Sequence, residues 1–156
     1  MKGLKIVVLA KQVPDTRNVG KDAMKADGTV NRAALPAIFN PEDLNALEQA
    51  LRIKDKIEGT TVHILTMGPG RAAEIIREAM YRGADGGYLL SDRAFAGSDT
   101  LATGYILSKA KEKIEELEGI KFDMLMFGKQ AIDGDTAQVG PQVAEDLDIP
   151  QVTYAW

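Results

Sequence analysis

Short aliphatic segments rich in β-branched residues alternate with stretches of helical periodicity along this chain, and that alternation restricts its fold more than any other feature. The run from Ile6 to Val13 suits a strand covered on both faces in a parallel sheet. Thr61 to Met67, Gly87 to Leu90, Met124 to Phe127 and Val152 to Tyr154 share its character, giving about five short strands. Between them Ala46, Leu47, Ala50, Leu51, Ile53 and Ile57 recur at helical spacing. The preceding Asn40-Pro41-Glu42-Asp43 offers a cap, a first-turn proline and acids suited to the helix dipole, predicting a helix from about Pro41 to Glu58. Capping accounts for Asn40 completely, and a ligand contact there is an addition. A second helix runs through Ala72, Ile75, Ile76, Ala79 and Met80 to Gly83, a third from Ser98 or Asp99 to Gly119, and a short fourth from Pro141 to Leu147. The expectation is an α/β fold, doubly wound around a mainly parallel sheet of about five strands, forming one domain over residues 1–156.

In such a sheet ligands sit outside the carboxyl ends of the strands. The connections to inspect are therefore Pro14 to Phe39, Gly68 to Arg71, Ser91 to Gly97 and Gly128 to Gln138. The first is long enough to be a binding loop or a partner contact, and its Asp27-Gly28 pair also reads as the tight turn of a small hairpin. Gly128 to Gln142 is the most informative. Its glycines permit close backbone approach, its hydroxyl and amide groups donate, and it enters a helix N-terminus, as a phosphate cradle requires. An ordinary capped turn has the same spacing, and Asp133 and Asp135 would repel a phosphate unless they face elsewhere. Thr66-Met67-Gly68-Pro69-Gly70 is open to the same two readings, cradle or simple punctuation.

Several chemistries lack their residues. No Gly-x-x-x-x-Gly-Lys-Ser/Thr loop is present, no Gly-x-Gly-x-x-Gly follows the first strand, and no nucleophile stands beside a base. Without cysteine there is no disulfide framework and no thiolate metal site. His63, the one histidine, sits in an apolar run as a packed strand residue would. A net charge of −4 without a basic run argues against nucleic acid, and the longest apolar stretch, Ile6 to Ala10, is too short for a bilayer. With no signal-peptide pattern, a cytoplasmic location is expected.

Lys11-Gln12-Val13-Pro14-Asp15-Thr16, Asn40-Pro41-Glu42-Asp43 with Ala46-Leu47-Glu48-Gln49-Ala50, Met80-Tyr81-Arg82-Gly83-Ala84-Asp85 and Gly128-Lys129-Gln130-Ala131-Ile132-Asp133-Gly134-Asp135 together resemble the electron transfer flavoprotein β family, in the family's order and over nearly the whole chain. The resemblance implies a fold related to the adenine nucleotide α-hydrolase and universal stress protein group. It also implies an adenine nucleotide contacted at Leu9, Ala10, Asn40, Pro41, Asp43, Met67, Gly68 and the run Gly128, Lys129, Gln130, Ala131, Ile132, Asp133, Gly134, Asp135, Thr136, Ala137, Gln138 and Val139. In the housekeeping version that nucleotide is AMP. In the electron-bifurcating version it is FAD, reduced by NADH. Val13-Pro14-Asp15-Thr16 looks like the bifurcating and nitrogen-fixation-associated branch, so FAD is favoured and AMP is the alternative. The implied partners are an α subunit in a heterodimer, an acyl-CoA-type dehydrogenase, and ferredoxin or flavodoxin. Lys11, Arg71 and Lys129 are candidates to balance phosphate or reduced-flavin charge, against the plainer reading of solvated cations. The family's β subunits are longer, so the chain is expected to lack their C-terminal segment and to leave Trp156 exposed. The rival is a non-redox nucleotide module of the universal stress protein type, whose Gly-x-x-Gly-x(9)-Gly-Ser/Thr loop is absent.

Overall fold

The computed structural model describes residues 2–17, 20, 23–24, 26 and 35–155. The Asp27-Gly28 turn and Trp156 lie outside the described residues. Four parallel strands, β1 (Lys5–Leu9), β4 (Thr61–Met67), β5 (Gly86–Leu90) and β6 (Met124–Phe127), form the sheet in the order β5-β4-β1-β6. A separate antiparallel pair joins β2 (Gln12–Pro14) to β3 (Ala37–Phe39). The helices are α1 (Pro41–Lys56), α2 (Ala73–Arg82), α3 (Thr100–Glu118) and α4 (Val139–Asp146).

Alternation along β1 divides the core. Ile6 and Val8 pack with Leu47 and Ala50 of α1 and Ile75 and Ala79 of α2, whereas Val7 and Leu9 pack with Leu107 of α3 and Val143 of α4. Each of these β1 side chains is buried, which at about 1.5–3 kcal/mol apiece makes the central strand the main apolar anchor. The chain winds outward from β1 to β4 and β5, then returns through α3 to place β6 on the other side of β1. Strand order therefore reverses between β1 and β6, and the crevice at their carboxyl ends is the switch point where such folds hold ligands.

Local chemistry fixes the outer elements. Asp99 caps α3 by accepting from the Ala102 amide at 2.8 Å. In the last turn of α3 the buried Glu115 carboxylate accepts from the Phe122 amide, beyond the helix, at 2.8 Å and pairs with Lys111 and Lys121, each at 2.9 Å, which sets the entry into β6. Among the described residues no helix is long and apolar enough to cross a membrane.

Two expectations need correction. The run from Ile6 to Val13 is not one strand: the sheet portion ends at Leu9 and the chain turns away at Ala10 and Lys11 before pairing with β3. Leaving the sheet there is enforced by Lys11, whose amide donates to Asp43 and whose carbonyl accepts from the Asn40 amide. Val152 to Tyr154 is not a strand either, so among the described residues the main sheet has four strands, not five. Tyr154 is in the left-handed region at φ 53°, which interrupts an extended backbone, and Val152 and Tyr154 remain exposed.

Candidate functional site

The crevice between β1 and β6 is roofed by the start of α1 and by the loop that follows β6. The loop is held from α1 by side chains. The Asp43 carboxylate, buried to 7% exposure, accepts from the Lys11 amide at 2.9 Å and the Gly128 amide at 3.1 Å, so one side chain joins the exits of β1 and β6. Glu42 accepts from the Gln130 amide at 3.1 Å. Asn40, fully buried, donates to the Gln130 carbonyl at 2.8 Å and accepts from the Ile132 amide at 3.1 Å. Close approach requires the glycine at 128, because a Cβ there would meet Asp43 Oδ1 and the Glu42 carbonyl carbon, both at 2.5 Å.

This arrangement overturns the expectation that capping accounts for Asn40. Its side chain makes no cap hydrogen bond; it braces the loop 90 and 92 residues away and also hydrogen-bonds the Asp43 carboxylate. Burial pushes the Asp43 carboxyl up to about 6, a rise that hydrogen bonds from Lys11, Asn40 and Gly128 oppose and the nearby Glu42 charge assists.

The loop thus has two halves. In the first, the amides of Gly128 and Gln130 are already paired with the α1 side chains of Asp43 and Glu42, and that of Ile132 with Asn40 just before α1. In the second, the amides of Gly134 and Asp135 turn back to the Ala131 carbonyl, while among the described residues those of Thr136, Ala137, Gln138 and Val139 find no acceptor. They stand at the N-terminus of α4, where Asp135 and Ala137 both adopt positive φ, 51° and 53°. The two aspartates are engaged: Asp133 pairs with Lys11 Nζ at 2.8 Å and Asp135 accepts from Gln130 Nε2 at 2.8 Å.

The remaining sites named from the sequence are more peripheral. Leu9, Ala10 and Met67 point into the core on either side of the sheet, and the Gly68 amide donates to the Leu90 carbonyl at 3.0 Å. Lys129 turns its ammonium over the Tyr154 ring at 5.7 Å. Pro41 and Ile132 line a neighbouring cleft of about 560 Å³, completed by Asp15, Thr16, Arg17, Ile38 and Glu42. Arg17 and Ile38 have no sequence signal beyond the length of the connection between β1 and α1. The β2–β3 pairing that closes the base of this connection brings them to the site.

The fold is a doubly wound α/β domain whose β6–α4 loop and helix start lie at its switch point. A family model, electron transfer flavoprotein domain, matches residues 27–156. The electron transfer flavoprotein subunit beta of Megasphaera elsdenii is 55% identical over 97% of this chain and 56% of its own length. The caffeyl-CoA reductase-Etf complex subunit CarD of Acetobacterium woodii is 52% identical over 97% of this chain and 55% of its own length. Protein FixA of Azotobacter vinelandii is 51% identical over 95% of this chain and 51% of its own length. The chain belongs to the electron transfer flavoprotein β-subunit family. It spans about half the length of the curated relatives it matches.

Proposed function

We infer that this chain is the nucleotide-binding portion of an electron transfer flavoprotein β subunit, holding an adenine nucleotide in the β1–β6 crevice. The observation that carries the reading is the row of amides at Thr136, Ala137, Gln138 and Val139 without acceptors, at a helix start beside a loop already locked in place. Such a row suits a phosphate group: the donors are consecutive at a helix start, the helix dipole favours an anion, and both nearby aspartates have partners of their own. The Thr136 hydroxyl adds a further donor, and the space around Gly134 is open.

FAD is favoured over AMP on the Val13-Pro14-Asp15-Thr16 motif, and the open cleft of about 560 Å³ beside Ile132 and Pro41 is compatible with the larger ligand. The kinship with a caffeyl-CoA reductase-Etf complex subunit and with FixA supports the same choice. When bound, the flavin supplies the redox chemistry. The chain's own residues orient it: α1 side chains hold the loop, the loop's second half binds phosphate, and Ile38, Pro41 and Ile132 offer an apolar wall to the ring system. Paired with an α subunit, the protein would pass electrons from NADH or an acyl-CoA-type dehydrogenase to acceptors such as ferredoxin or flavodoxin, with bifurcation at the β flavin.

Co-expression with the α subunit, followed by extraction and identification of bound nucleotides, tests this. Two FAD per heterodimer supports the bifurcating reading. One FAD with one AMP leaves an adenine-nucleotide subunit and removes bifurcation, and no adenylate on the β chain overturns the whole reading.

A further inference from the structure

The link between α1 and the two strand exits contains an ionisable group where an amide side chain would not serve equally. The Lys11 and Gly128 amides aim at different oxygens of Asp43, at 2.9 and 3.1 Å. A carboxylate accepts both. A protonated carboxyl keeps one carbonyl oxygen and turns its other oxygen into a hydroxyl, which must itself donate. The side chain is buried to 7% exposure, and its Oδ1 lies against Gly128.

We propose that Asp43 is a positioning residue that couples nucleotide binding to a proton: ionised, it clamps the exits of β1 and β6 and presents the loop for binding, and protonated it releases one amide and loosens Gly128–Asp133. This rests on the nucleotide reading above. The charged groups around the clamp do not replace it. Glu42, its neighbour on α1, is committed to the Gln130 amide. Lys11, at the exit of β1, sends its ammonium to Asp133 on the loop, not to Asp43. Burial moves the proton equilibrium of Asp43 to about 6, within reach of ordinary changes in pH.

The role predicts a sign opposite to simple electrostatics. A carboxylate that merely repelled phosphate would weaken binding when ionised, so binding would improve on acidification. A clamp does the reverse. FAD is the probe, because its pyrophosphate stays ionised across the range whereas the AMP phosphate itself titrates near pH 6.

The test measures FAD affinity of the β site in the heterodimer from pH 5 to 8, with amide hydrogen exchange at Lys11 and Gly128 in the nucleotide-free β site. The expected result is about tenfold weaker binding at pH 5 than at pH 7.5, with faster Gly128 or Lys11 exchange after correction for intrinsic pH dependence. Asp43→Asn, which keeps the shape but offers one acceptor, should bind about tenfold more weakly at pH 7.5 and lose the pH dependence. His63→Gln, which removes the chain's histidine from the opposite half of β4, should retain it. Binding that is flat with pH, or that tightens on acidification, overturns the coupling while leaving the nucleotide site standing. FAD and AMP binding at no pH overturns the site itself.

Discussion

Asp43 and Gly128 are 85 residues apart in sequence, yet the carboxylate of one receives the backbone amide of the other at 3.1 Å in a space that admits no side chain at 128. This contact fixes the distance between the exits of β1 and β6, and with it the width of the crevice in which the loop lies. Gly128→Ala forces a methyl to within 2.5 Å of Asp43 Oδ1 and of the α1 backbone. Neither neighbour is the free end of a flexible chain, so the loop must shift. The expected cost is about 3 kcal/mol of stability, read by urea unfolding, together with loss of co-purifying nucleotide from the heterodimer. A variant as stable as the parent would show that the junction is looser than described.

Asn40 offers a sharper discrimination, because a cap and a brace ask different things of it. A helix cap needs a side-chain acceptor, which aspartate supplies as well as asparagine. The brace uses both ends of the amide, donating to the Gln130 carbonyl and accepting from the Ile132 amide. Asn40→Asp preserves the acceptor, removes the donor and puts a third acid beside Glu42 and Asp43. Its expected cost is about 1–3 kcal/mol at neutral pH. Equal stability of the two proteins in chemical denaturation would return Asn40 to an ordinary capping role.

The contrast between these residues explains which parts of the molecule were legible in its sequence. Periodicity is local, so Ala46, Leu47 and Ala50 identified the buried face of α1, and the aliphatic runs identified the four strands of the sheet. Asn40 stands in a pattern that is the same for a cap and for a brace, and its true partners lie on a loop at the far end of the chain. The loop itself was found by its composition, but which of its amides remain free depends on α1 side chains that no local pattern reveals. The antiparallel pairing of Gln12–Pro14 with Ala37–Phe39 is equally non-local, so the run beginning at Ile6 read as one strand. Val152 to Tyr154 misled in the other direction. Its residues favour strands, but propensity does not supply the extended backbone that Tyr154 lacks.

The elevated proton affinity of Asp43 has a consequence for the fold without any ligand. The folded carboxyl titrates near 6 and the unfolded one near 3.8, so between these values the folded state binds more protons. Stability from this group therefore falls as pH rises from about 4 to about 6 and is level outside that window. The full separation corresponds to roughly 3 kcal/mol. Protonation gives up one amide bond but relieves the larger penalty of a buried charge, so the whole domain gains stability while the clamp loosens. The stability difference between the parent and Asp43→Asn should shift against the parent across that window and stay constant above pH 7. A difference that does not change between pH 4 and 7 would place the Asp43 titration at its ordinary value.

The second half of the loop makes a different demand, on backbone conformation. Ala137 holds φ at 53°, where a side chain with one methyl is tolerated at some cost and a β-branched one clashes with its own carbonyl. That conformation belongs to the stretch whose amides at Thr136, Ala137, Gln138 and Val139 have no acceptor among the described residues. If strain there serves to aim the amides at a phosphate, substitutions at 137 should separate conformational from chemical effects. Ala137→Gly adopts the same φ without penalty and should keep nucleotide binding, with stability within about 1 kcal/mol of the parent. Ala137→Val should lose about 1–3 kcal/mol or move the loop out of the left-handed region, and in either case weaken adenylate binding about tenfold or more. Calorimetric titration of the two variants against the parent decides the matter: equal affinity for all three would mean that the amides at the start of α4 do not hold the phosphate.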